Sequence, residues 1–221
     1  MCHDHDSRPP APPRTGEVGE RGTLTLTAAD GNSFSAAYAA PAGPARAGVV
    51  VLPDIRGLHP YYVALTERFA EAGLPAVALD WFGRTAGVAE TGTREEDFDW
   101  QSHIPQTKPE SIDADIAAAI TYLRGRTRAD LPVITVGFCF GGSHSWRQAG
   151  GDLDLAACAG FYGRPAMVGE VAEVEPRLDA AELDRLIAQA NRQYEWLTHT
   201  RRDVAAGVFG GRPAAAEVAD R

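Results

Sequence analysis

Several things are scarce in this sequence, and each scarcity narrows its class. No apolar run approaches the roughly 18 residues that a membrane-spanning helix needs. The opening MCHDHDSRPPAPPRTGE holds no apolar core of a signal peptide. Cysteine occurs three times in 221 residues, at Cys2, Cys139 and Cys158. Thiols that far apart do not form a disulfide framework, so a reducing, cytoplasmic setting is expected. Basic residues are outnumbered, 21 Lys and Arg against 30 Asp and Glu, for a formal net charge of −9. That field disfavours a nucleic-acid backbone, so neither nucleic acid nor a membrane is an expected partner. No internal repeat and no linker to a second domain is visible.

What is present suits one globular domain: 44% hydrophobic and 23% charged residues, in a chain long enough to bury a core. Residues 1–21 are rich in Pro, Asp and Arg without periodicity and read as an unstructured arm. The arm's Cys2, His3, Asp4, His5 and Asp6 could pass for a metal cluster, but a flexible terminus does not fix ligand geometry.

Beyond the arm, strand and helix patterns alternate. LTLTA (24–28) and SFSAAYA (33–39) flank Asp30-Gly31-Asn32, which predicts a hairpin. GVVVLP (48–53), PAVALD (75–80), PVITVG (132–137) and LAACAGFYG (155–163) are the continuous apolar runs of strands covered on both faces. Helices are predicted over 60–72, from Pro109 with Ile112, Ile116, Ala119, Ile120 and Leu123 on one face, and over 141–149. Residues 83–107 read as a long loop. The pattern predicts an α/β fold, a mostly parallel sheet with helices on both faces.

In such a sheet, chemistry gathers beyond the carboxyl ends of the strands. Gly137-Phe138-Cys139-Phe140-Gly141 lies at one of those ends and matches the G-x-S-x-G nucleophile elbow, with Cys in place of Ser. The glycines make room for a strained turn, and the following helix N-terminus favours a thiolate. The Phe140 amide can donate to a developing oxyanion, and the Ile55 amide, after the third strand, is the expected second donor. The plainer alternative is that Cys139 simply packs, since cysteine is often buried. Cys158, inside a strand run, is expected to be core.

These residues resemble the dienelactone hydrolase family of α/β-hydrolases, whose triad is Cys-Asp-His. GFCFGG (137–142) matches the family's elbow and makes Cys139 the nucleophile by resemblance. VVVLPDIRG (49–57) is similar to the segment that places an acid, usually Glu, beside the thiol, and so points to Asp54. LDWFGRTAG (79–87) is similar to the segment with a carboxylate-binding Arg, and so points to Arg84. The resemblance covers about residues 22–168 and implies a small ester or lactone substrate, with an anionic group for Arg84 to orient. It implies no cofactor and no metal.

After Gly169 the resemblance is expected to stop. No later run of Val, Ile or Leu could serve as a central strand, so the last two strands, with the family's triad Asp and His, are expected to be missing. Instead 178–200 reads as an amphipathic helix carrying His199, and 13 of the last 21 residues are Ala, Arg or Gly. His59, His103, His144 and His199 match no family position. The reading is therefore a hydrolase acting through Cys139, with a second reading as a defective homologue lacking the triad Asp and His.

Overall fold

The computed structural model describes residues 6–11 and 16–164. Strands β1 (Val18–Thr27) and β2 (Ser33–Pro41) form the opening antiparallel hairpin. Its turn closes where Gly31 takes φ 89° and the Asp30 carboxylate accepts the Asn32 amide at 3.2 Å. Strand β1 starts inside the segment expected to be arm, with Val18 opposite Pro41 and Glu20 opposite Ala40. An edge strand needs backbone pairing on one side and no apolar face, so its exposed first residues carry no periodic signal.

Strands β3 (Gly48–Leu52), β4 (Ala76–Leu79), β5 (Val133–Phe138) and β6 (Ala157–Phe161) follow, with helices α1 (Pro60–Glu71) and α4 (Pro109–Arg126) between them. The sheet order is β1-β2-β4-β3-β5-β6, with β4, β3, β5 and β6 mutually parallel. The two-residue period of a strand divides the apolar runs between two cores. Val49, Val51, Ala76 and Ala78 face one core with Leu58 and Tyr62. Val50, Leu52, Val77 and Leu79 face the other, with Ile112, Ile116, Ile120 and Leu123 of α4. For β3, β4 and β5 packing on both faces is what the unbroken apolar runs predicted, whereas β6, last in the described sheet, is only half-buried among the described residues.

The segment expected to be one long loop contains two single-turn helices, α2 (Gly83–Ala86) and α3 (Trp100–His103), and a 3-10 turn at Ile104–Gln106. Elements of three or four residues show no amphipathic period, so the sequence could not reveal them. What holds the segment is an ion pair: Arg94 Nη2 lies 2.7 Å from Asp80 Oδ2, and both side chains are buried. The Arg94 guanidinium also stands 4.8 Å from the Phe98 ring centre. Asp80 in turn accepts the Leu58 and Phe82 amides, each at 3.1 Å, tying the loop to the ends of β3 and β4.

Helix α5 (Phe140–Gln148) follows β5 directly. No helix among the described residues is long and apolar enough to cross a membrane. The expected tail helix, His199, the expected loss of two strands, and Cys2, His3, Asp4 and His5 all lie outside the described residues.

Candidate active site

Because β3, β4, β5 and β6 run parallel, their carboxyl ends open on one side of the sheet. There the chain turns from β5 into α5 in a single residue, Cys139, whose φ of 53° and ψ of −113° are rare for a residue with a Cβ. Neighbouring strands brace the turn on both flanks. The Cys139 amide donates to the Phe161 carbonyl of β6 at 2.9 Å, and the Gly141 amide donates to the Pro53 carbonyl after β3 at 3.0 Å. A side chain on Gly141 would collide with the carbonyls of Leu52 and Pro53, and one on Gly137 with the Gly141 carbonyl. Both glycines are therefore required by close backbone approach. Cys139 is half-buried.

Phe140 opens α5, so its amide has no intrahelical acceptor. Ile55 lies just past β3, the strand hydrogen-bonded to β5. Neither amide donates a recorded hydrogen bond among the described residues. The structure thus brings Cys139, Phe140 and the Asp54–Ile55 segment to one end of two adjacent strands.

Asp54 is buried at the end of β3, and its carboxylate is gripped by Arg56. Arg56 Nη2 approaches Oδ2 at 2.6 Å, its Nε lies 3.1 Å from Oδ1, and its amide donates to Oδ1 at 3.0 Å. Arg56 carries no role in the motif VVVLPDIRG as read above. The readable signal was the spacing, because an Asp at a turn accepts the amide two residues on.

Arg84 goes elsewhere. It sits on α2 and reaches Asp30 at 2.6 Å, Asp115 of α4 at 2.8 Å and the Ser111 carbonyl at 3.2 Å. These partners belong to the hairpin turn and α4, and none belongs to the elbow. Asp115 also accepts from Asn32 at 3.0 Å, and burial outweighs these contacts to push its carboxyl up to about 6.

The described histidines are each engaged in packing or capping. His59 is buried and its Nδ1 accepts the Tyr61 amide at 3.1 Å, capping α1. His103 stacks on Phe98, with ring centres 5.1 Å apart. His144 lies 4.6 Å from the Phe140 ring and 5.8 Å from that of Trp81. Its buried Nδ1 has no hydrogen-bond partner among the described residues, and burial pushes the imidazole down to about 4. Among the described residues no group of three or more His, Cys, Asp or Glu could hold a metal ion. Cys158 stands opposite Thr135 on β6, and burial pushes its thiol up.

The profile of the dienelactone hydrolase family matches residues 34–194. This chain belongs to the dienelactone hydrolase family. The matched span overturns the expectation that the resemblance stops after Gly169, since it runs on to residue 194. Similar proteins include a carboxymethylenebutenolidase of Pseudomonas putida, 28% identical over 147 residues, which are 63% of this chain and 60% of that one. Another, from Pseudomonas sp. strain P51, is 24% identical over 204 residues, 87% of this chain and 79% of that one. The chain spans less than half (43%) of a similar Methylorubrum extorquens protein and about three fifths of the Pseudomonas putida relative. A crystal structure of a dienelactone hydrolase-type protein from Klebsiella pneumoniae superposes with a TM-score of 0.54 at 21% identity, covering 66% of this chain and 61% of that one. The fold is therefore that of the α/β-hydrolases.

Proposed function

We propose that this chain hydrolyses a small ester or lactone through a thioester on Cys139. The observation that carries the reading is the Cys139 turn itself. A left-handed residue between a buried strand and a helix, with two obligatory glycines, holds a thiol out at the edge of the sheet. A packing cysteine requires no such backbone.

In this reading the Cys139 thiolate attacks the carbonyl carbon, and the oxyanion is held by the amides of Phe140 and Ile55. The carbon–oxygen bond to the leaving alcohol breaks, the alcohol takes up a proton, and a thioester remains. Water then cleaves the thioester, releasing the acid and returning the thiol. A reducing compartment such as the cytoplasm would keep that thiol available. Asp54 would act on the thiol's surroundings only in competition with its ion pair to Arg56. An anionic substrate would have to displace Asp30, the more exposed of the two acids on Arg84.

The second reading, acylation with poor deacylation, is favoured by the described histidines. His144 is packed among aromatic rings and His103 on Phe98, while His59 caps α1. Loss of a general base costs on the order of 10²–10⁴ in rate. A burst assay with a chromogenic acetate ester, followed by intact-mass measurement, tests both steps. We expect one equivalent of acetyl on Cys139, absent in Cys139→Ala, with slow turnover after the burst. A wild-type chain that never acquires the acetyl group would sink the nucleophile. Sustained turnover that disappears in His199→Ala would sink the poor-deacylation reading alone.

A further inference from the structure

We infer that Trp81 is a positioning residue for the oxyanion hole, setting the direction of the Ile55 amide relative to the Phe140 amide. The inference rests on the reading of Cys139 as the nucleophile.

Trp81 follows β4 directly and is 2% exposed. Its indole Nε1 donates to the Asp54 carbonyl at 3.0 Å. That oxygen belongs to the same planar peptide as the Ile55 N–H. In a trans peptide the two groups point to opposite sides, so holding the oxygen also aims the N–H. The peptide before Asp54 is held as well, because the Asp54 amide donates to the Tyr62 hydroxyl at 3.1 Å. Two buried side chains therefore pin the backbone on both sides of Asp54.

The same indole reaches the other donor. Its ring meets the Phe140 ring edge-on, with centres 5.4 Å apart and planes at 83°. His144 completes the cluster from the next turn of α5. One side chain is thus bonded to the peptide carrying the first amide and packed on the residue carrying the second. An oxyanion hole needs donors held about 2.7–3.1 Å from the position the oxyanion will take. Within the loop the Gly57 amide holds the same Asp54 oxygen at 3.2 Å, and the indole adds a second, shorter bond from the end of another strand. Near-neighbours in sequence do not connect these parts, since Trp81, Asp54 and Phe140 come from the ends of three different strands.

Trp81→Phe removes the indole N–H and keeps an aromatic ring. The Gly57 amide still donates to the Asp54 carbonyl, at 3.2 Å, so no buried acceptor is left without a partner. The expected result is a fall of about tenfold in the rate of Cys139 acetylation by an aryl acetate at saturation, with half-saturating ester concentration little changed. That is a fraction of the 10²–10³ lost when a donor is removed outright. Alkylation of Cys139 by iodoacetamide develops no oxyanion, and its rate should stay at the wild-type value. If the variant's unfolding midpoint drops well below wild type, benzothienylalanine at position 81 keeps the bicyclic shape without the N–H. Equal acetylation rates in wild type and in the folded variant would overturn the role of Trp81 while leaving Cys139 as nucleophile. A parallel fall in acetylation and alkylation would also overturn it, by showing a general disturbance of the elbow. A wild-type chain that alkylates at Cys139 but never acetylates would instead remove the nucleophile reading, and this inference with it.

Discussion

Cys139 and Cys158 are both half-buried and differ in their backbone setting. Cys139 stands at a helix N-terminus, where the backbone dipoles favour negative charge. Cys158 lies within a strand, and burial raises its pKa despite a contact with Thr135. At pH 7 iodoacetamide should therefore modify Cys139 first, and peptide mapping of partly labelled protein would show the order. His144 is held near 4 by burial and by Arg147, with Asp113 pulling the other way. Its folded pKa lies below the unfolded value of about 6.5, so the unfolded chain binds the extra proton as pH falls. Stability associated with neutral His144 is full above about pH 6.5 and is lost progressively as pH falls toward 4. The loss between pH 7 and pH 5 should be roughly 2 kcal/mol, and His144→Phe should flatten that part of the profile in urea unfolding.

At the scale of elements, the segment between α2 and α4 depends on one buried pair. Arg94 and Asp80 hold each other in the interior, and Asp80 also orders the Leu58 and Phe82 amides. Arg94→Ala leaves the Asp80 carboxylate buried with amide donors only. Breaking one side of a buried pair costs about 3–5 kcal/mol, and denaturant unfolding should show a loss in that range. Proteolysis should then cut first within 87–99, the stretch Arg94 anchors. Arg94→Lys should recover only part, because an ammonium lacks the planar fork that meets the carboxylate and the Gly87 carbonyl while standing over Phe98.

For the whole molecule, Arg84 is the strap between layers. It joins the hairpin turn at Asp30 to helix α4 at Asp115 and Ser111, while Asn32 adds a second bond to Asp115. Arg84→Ala should lower unfolding free energy by about 1–3 kcal/mol at pH 7, since Asp115 keeps its burial and loses its cation. The expected kinetic effect is the same on charged and neutral esters. A selective loss for the carboxylate-bearing ester in steady-state assays would show that Arg84 leaves Asp30 to bind substrate.

The local sequence was enough for the long patterned elements and the two tight turns. The Val-rich and Ala-rich runs of β3, β4 and β5 required strands covered on both faces, Asp30-Gly31-Asn32 required the hairpin turn, and GFCFGG required a tight strand-to-helix turn with no room for side chains. Family membership was legible from the same stretches. Contacts between residues distant in the chain were not legible, because they depend on which strands become neighbours. Placing β3 beside β5 sets Asp54 and Ile55 against the elbow, and placing β4 beside β3 lets Trp81 reach the Asp54 carbonyl. The partners of Arg84 and Arg94 were hidden for the same reason: a guanidinium matches any carboxylate, and only the packed sheet and its helices select which one lies within reach.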